Sequence, residues 1–276
     1  MRRGSVPTIV VAVLGLVAGA AGTWLAGTAA PRHAAGPKHA LALTADPTTH
    51  GEWVKFANAA GDSVRAYVAY PERKDKAPAI IVIHEIFGLS SWEPTVVDRL
   101  AAEGYVAIAP DLLSPRFGLT PADPDSGRKL TALLVPEQVN ADLDAAFGYL
   151  NTLPAVRKDD IASIGFCWGG GKSFRYATAN PKLKAAVVCY GPPPDSTLVP
   201  GIRARVLGVY GEDDARINAS LPDVERQMKA AKISFEYSIY PGTGHGFLRP
   251  GRKGSDGEQV EKAWANILRF YHDALH

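Results

Sequence analysis

Residues 161–178 read IASIGFCWGGGKSFRYAT, and this stretch decides the fold. Its first half is an apolar, β-branched run of strand length, and its second half reads as a helix, with Cys167 at the junction. Gly165 and Gly169 stand two residues to either side of the cysteine. A strand that turns sharply into a helix pushes the residue at the turn beyond the sheet edge, and small flanking residues let the two backbones pass closely. The pattern therefore presents Cys167 as a nucleophile. A thiol so placed also sits at a helix N-terminus, whose partial positive charge favours thiolate, so the sequence predicts a lowered pKa for Cys167.

Outward from this turn, the chain alternates strands and helices. Residues 52–57 and 63–70 are two alternating runs around a turn that contains Gly61 and Asp62, the pattern of a β-hairpin. Residues 79–84, AIIVIH, form a continuous apolar run, as expected of a parallel strand buried on both faces. A helix over about 94–103 and a strand over 105–109 follow, then a segment at 114–136 rich in Pro, Gly and Asp, read as a loop overhanging the site. A helix over about 137–153 precedes the turn at Cys167. Beyond it come strands near 185–190, 205–210 and 234–240, a helix near 221–231 and a last helix over 257–272. This is the pattern of a doubly wound, mostly parallel sheet with an N-terminal antiparallel hairpin, the α/β-hydrolase fold.

The 276 residues are 46% hydrophobic and 21% charged, with a net charge of +2, the composition of one globular α/β domain. No basic stripe interleaved with aromatics argues for nucleic acid. Two cysteines cannot supply a disulfide framework, and Cys189, closing an apolar run, reads as a buried unreactive thiol. The N-terminus differs from the rest. Arg2 and Arg3 precede an uncharged stretch, residues 4–31, rich in Val, Leu and Ala. Residues 1–30 are thus expected to be a signal peptide or membrane anchor, residues 31–49 a linker, and residues 50–276 the domain. The domain is expected to be exported: periplasmic, secreted or anchored to the outer face of the cytoplasmic membrane.

In an open α/β sheet, ligands gather at the carboxyl ends of the strands. Polar residues stand at three of those ends: Glu85 after the 79–84 run, Asp213 and Asp214 after 205–210, and His245 after 234–240. With Cys167 they give the chain order nucleophile, acid, histidine. An ordinary thiol is only a few per cent thiolate at neutral pH, so a neighbouring histidine must take its proton. His245 is the candidate base. A carboxylate behind the imidazole would fix its tautomer; Asp214 is preferred for this, with Asp213 as the alternative.

With its motifs HEIFG (84–88), YVAIAPDL (105–112), GFCWGG (165–170), YGEDD (210–214) and GHGF (244–247), in that order, the chain resembles the dienelactone hydrolase family over about residues 51–272. The resemblance implies a triad of Cys167, Asp214 and His245, its G-x-x-D motif selecting Asp214. It implies that Glu85 contacts the resting thiol and helps form thiolate when substrate enters. The backbone N–H groups of Ile86 and Trp168 would form the oxyanion hole. Arg249, four residues beyond the histidine, would bind a substrate carboxylate, and Arg116 matches the family's second arginine with a one-residue shift.

The expected activity is therefore hydrolysis of a small-molecule ester or lactone through an acyl-enzyme, as in a carboxymethylenebutenolidase, by a monomer that needs no metal or organic cofactor. The alternative is a non-catalytic ligand-binding or envelope-associated protein that keeps the fold. Activity on any activated ester separates the two.

Overall fold

Eight strands form one sheet in the order β1-β2-β4-β3-β5-β6-β7-β8 in the computed structural model, which describes residues 49–276. The expected targeting segment 1–30 and, but for Thr49, the expected linker lie outside the described residues. Thr49 itself opens β1 (Thr49–Ala57), which pairs antiparallel with β2 (Ser63–Pro71). The turn between them is held by Asn58, whose Oδ1 accepts from the N–H groups of Ala60 and Asp62 and whose Nδ2 donates to Asp142.

β2 pairs antiparallel with β4 (Val106–Asp111), and from β4 across to β8 every pairing is parallel. The parallel strands are β3 (Ala77–Ile83), β4, β5 (Val156–Phe166), β6 (Ala185–Cys189), β7 (Arg205–Asp213) and β8 (Phe235–Gly244). Strands of period two send alternate side chains to opposite faces, and both faces are covered here. Ile81, Ile83, Val106, Ile108 and Val188 face a core shared with α4 (Pro136–Thr152), α5 (Trp168–Ala179) and α7 (Leu221–Ala230). Ile80, Val82, Ala107, Ile164 and Val187 face the other core, shared with α1 (Trp92–Ala102) and α8 (Glu258–Leu275). Each fully buried Ile or Val contributes about 1.5–3 kcal/mol relative to exposure, which is why a run such as 79–84 belongs in the centre of the sheet.

The strand order reverses around β3. The chain leaves β3 for β4 on one side, then returns past β3 to β5 on the other. The helices that follow β3 and β5, α1 and α5, cover opposite faces, so a crevice opens between the two strands' carboxyl ends. Glu85 and Cys167 follow those ends.

Segment 114–136 departs from the expected loop. It contains α2 (Ser114–Phe117) and α3 (Pro124–Thr131), both too short for apolar periodicity to reveal them. α3 starts because Pro124 sets its first turn and Asp123 accepts from the Ser126 N–H at 2.9 Å. Gly127 in α3 lies against the Phe87 carbonyl, where a Cβ would come within 2.2 Å, so this segment abuts the loop after β3. A further short helix, α6 (Ala215–Asn218), follows β7. Among the described residues no helix is long and apolar enough to cross a membrane.

Candidate active site

The turn at Cys167 has the backbone the glycine pattern implies. Cys167 adopts φ 56° and ψ −113°, a strained conformation for a residue with a Cβ, and stands directly before α5. A Cβ on Gly165 would lie 1.9 Å from the Gly169 carbonyl oxygen, and one on Gly169 would lie 2.3 Å from that of His84. Helix, elbow strand and β3 therefore pass at distances that only glycine permits. The Cys167 N–H donates to the Cys189 carbonyl at 3.0 Å, tying the turn to β6.

His245 and Asp214 arrive from neighbouring loops because β7 and β8 stay paired to their ends, Asp213 opposite Gly244. His245 Nε2 lies 3.0 Å from Cys167 Sγ, and Nδ1 lies 2.5 Å from Asp214 Oδ2. A carboxylate only accepts, so Nδ1 carries its proton and Nε2 turns a lone pair to the thiol. Asp214 is buried. Asp213, the alternative acid, is instead exposed and paired with Lys253.

Glu85, only 2% exposed, makes its side-chain hydrogen bond to Arg249, Nη1 to Oε2 at 2.5 Å, and none to Cys167. That differs from the expected contact with the resting thiol: a buried carboxylate takes the strongest cation in reach, and the guanidinium outbids a neutral S–H. Burial raises the pKa of Glu85 even against Arg249. Arg249 Cζ also lies 5.5 Å from the ring centroids of Phe87 and of Trp92, within cation–π reach of both.

The thiol departs from the sequence expectation. Burial first, then the Glu85 carboxylate, push Cys167 up to about 11, against the Trp168 N–H, which faces the sulfur and acts the other way. The helix terminus is present, but desolvation of a thiolate beside a carboxylate outweighs it. Cys189 is fully buried in β6 and raised well above the usual thiol range by burial alone. Among the described residues neither the Ile86 nor the Trp168 N–H is taken by a backbone carbonyl.

Arg116 is not brought to this cluster. It is exposed on α2, donates to the Leu133 carbonyl at 2.9 Å and lies over the Phe117 ring. No hydrogen bond or ion pair joins it to Cys167, Asp214, His245, Glu85 or Arg249.

Three residues around the site went unnoticed in the sequence. Glu93, fully buried, accepts from the N–H groups of Glu85 and Ser90 and from the Ser90 hydroxyl, fixing the loop after β3. Its signal was legible: Ser90 and Glu93 have the S-x-x-E spacing of a capping box before a helix. His84 stacks on Trp168, centroids 5.4 Å apart and planes within 8°, and Nδ1 lies 2.7 Å from the Glu85 carbonyl. Tyr190, beyond β6, meets the His245 ring edge-on at 5.2 Å, and no local pattern singled it out.

Comparison with known proteins follows the same outline. The family model described as "Dienelactone hydrolase family" matches residues 64–275. A provisionally named carboxymethylenebutenolidase of Synechocystis sp. is 31% identical over 228 residues, covering 77% of this chain and 92% of its own. One of Salmonella typhimurium, named in the same way, is 35% identical over 232 residues, covering 76% and 83%. The crystal structure of a provisionally named dienelactone hydrolase from Klebsiella pneumoniae superposes with a TM-score of 0.73 at 30% identity, covering 81% of this chain and 98% of that one.

Proposed function

The chain belongs to the dienelactone hydrolase family and is a hydrolase of that kind, and from this premise we propose that it cleaves a small-molecule ester or lactone through an acyl-enzyme on Cys167. The observation that carries the reading is the relay from Cys167 Sγ to His245 Nε2 at 3.0 Å and from His245 Nδ1 to Asp214 at 2.5 Å. Cys167 gives its proton to Nε2 as sulfur attacks the carbonyl carbon. The oxyanion that forms accepts from the N–H groups of Ile86 and Trp168. Collapse breaks the acyl C–O bond, and the imidazolium returns its proton to the departing oxygen, which in a lactone stays tethered to the acyl group. Water then attacks the thioester, Nε2 takes its proton, and the acid leaves as the thiol re-forms. Asp214 holds the ring in the tautomer each step needs and stabilises the imidazolium.

A thiol held at about 11 is almost entirely protonated at neutral pH. The resting protein thus carries a guarded nucleophile, and proton transfer to His245 is the step substrate must promote. A substrate carboxylate is the group best suited to Arg249, whose planar fork lies in the site beside Glu85. In our reading Arg116 stays outside the reaction.

A panel of p-nitrophenyl esters and lactones, with and without a free carboxylate, tests the reaction and the substrate class together. Wild-type turnover with none in Cys167→Ala is the expected result; full activity in that variant would remove the nucleophile. We also infer export of the domain, from Arg2, Arg3 and the apolar run that follows them. A reporter fused to the C-terminus should be active outside the cytoplasm, and activity confined to the cytoplasm would overturn this.

A further inference from the structure

The two N–H groups read above as the oxyanion hole come from different elements, Ile86 from the loop after β3 and Trp168 from the first turn of α5. Such donors stabilise a developing charge only while both aim at one point. One side chain touches the backbone of the first and the ring of the second. His84, fully buried, brings Nδ1 to 2.7 Å from the Glu85 carbonyl oxygen. Its ring lies on the Trp168 indole, centroids 5.4 Å apart and planes within 8°. Its Nε2 is buried and has no partner among the described residues.

The contact with Glu85 determines the tautomer. A carbonyl oxygen only accepts, so Nδ1 carries the proton and Nε2 is left as an empty, buried lone pair. A buried acceptor without a donor costs more than one neutral hydrogen bond contributes, so stability alone does not account for a histidine here. The Glu85 carbonyl and the Ile86 N–H are the two ends of one planar trans peptide and point in opposite directions. Whatever holds the oxygen therefore aims the N–H. The oxygen is held twice, by His84 at 2.7 Å and by the Gly88 N–H at 3.2 Å, which closes a turn over residues 85–88 and leaves the Ile86 N–H unused. The first turn of α5 presses on the same histidine, since a Cβ on Gly169 would lie 2.3 Å from the His84 carbonyl oxygen.

We propose that His84 is a positioning residue of the oxyanion hole: its Nδ1–H fixes the peptide that carries the Ile86 donor, and its ring sets that peptide against Trp168, which carries the other. This role rests on the acyl-enzyme reading above and extends it to a side chain that takes no part in proton transfer. No bond is made or broken on His84. Its effect is felt only as the carbonyl oxygen of the substrate gains charge, so it belongs to the transition state and not to substrate binding.

Two variants of the full-length protein separate the donor from the stack. His84→Phe keeps a ring against Trp168 and removes Nδ1–H, whereas His84→Asn loses the ring and restores an amide N–H close to where Nδ1 stood. On a p-nitrophenyl ester, kcat of His84→Phe should fall about tenfold with KM within about twofold of wild type. Removing an oxyanion donor outright costs about 10²–10³-fold, and here the Ile86 N–H is misaimed but present. His84→Asn should recover most of the loss, to within about threefold of wild type. Iodoacetamide alkylates by direct displacement and builds no oxyanion, so its rate at Cys167 should match wild type in both variants from pH 6 to 10. Unchanged kcat in His84→Phe, equal losses in the two variants, or alkylation slowed in step with kcat would each overturn the proposal, the last because it marks a general loosening of the turn at Cys167. Should neither variant fold, the wild-type protein still decides: nitrogen-15 spectra at pH 8 should show His84 as the Nδ1–H tautomer, and the Nε2–H tautomer would overturn the role. Cys167→Ala run beside them separates the two failures. An inactive Cys167→Ala with a fully active His84→Phe refutes only the role of His84; an active Cys167→Ala refutes the site reading and this proposal with it.

Discussion

Replacing Glu85 by glutamine should make Cys167 more reactive toward alkylation, the reverse of what losing a helper of the thiolate would do. The structure gives the sign. Cys167 stands at about 11, with burial as the larger cause and the Glu85 carboxylate as the second. At pH 8 such a thiol is about 0.1% thiolate, and alkylation runs at that fraction of its limiting rate. A nearby like charge shifts a pKa by roughly one to three units, and one unit is a prudent value because burial remains in the variant. The thiolate fraction then rises to about 1%, and labelling at pH 8 speeds up about tenfold. The amide keeps a carbonyl oxygen for Arg249, while the guanidinium, freed of its counter-charge, pushes the thiol in the same direction. The assay is iodoacetamide incorporation followed by mass mapping across pH 6 to 10, with melting temperatures of both proteins as a control for folding. Cys189 should label negligibly in either protein, since it is fully buried. An unchanged or slower rate at Cys167 in a folded variant would refute the reasoning, because the carboxylate would then not be acting on the thiol.

Arg249→Ala should cut kcat/KM on a carboxylate-bearing ester at least about tenfold more than on its neutral match, the value of a charge-assisted hydrogen bond; both will lose something because Glu85 is left buried and unpaired, so the ratio is the measurement, and an unchanged ratio would mean Arg249 does not read the carboxylate. Gly169→Ala should destabilise the protein by about 2–3 kcal/mol, since its Cβ would meet the His84 and Ile83 carbonyl oxygens at 2.3 and 2.4 Å; thermal unfolding at the wild-type temperature would show that the elbow can relax without cost. Asp142 is held up to about 6 by burial, only partly offset by Asn58, and its Oδ2 is unpartnered. A carboxyl raised on folding contributes stability below its unfolded value and loses it as pH rises through the folded one. Asp142→Asn should therefore gain melting temperature relative to wild type between pH 5 and pH 8, and a difference that shrinks over that range would contradict the assignment.

Much of this protein was legible along the chain because its information is local. Four β-branched residues in a row, Ile80 to Ile83, are best satisfied inside a sheet covered on both faces, and a cysteine between glycines two residues away fits a place where strand and helix nearly touch. The order Cys167, Asp214, His245 also needs no distances, since a parallel sheet delivers every strand end to one edge. Local patterning fell short where elements are brief, as with α2, only four residues long, and α3, which its Asp123 cap rather than any apolar period defines. Tertiary structure alone decided the electrostatics. The Glu85–Arg249 pair joins residues 164 apart, and its existence follows from how the loop after β3 meets the turn after β8. The charge state of Cys167 is a matter of desolvation, which depends on what packs over the sulfur from several elements at once; the helix terminus visible in the sequence is one contribution among several and not the largest. Tyr190 is unremarked in its own neighbourhood, and only the packed chain sets its ring edge-on against His245 and beside Phe166 and Phe247. Strand, helix and turn are written in neighbouring residues, whereas burial and the pairing of charges are properties of the packed whole.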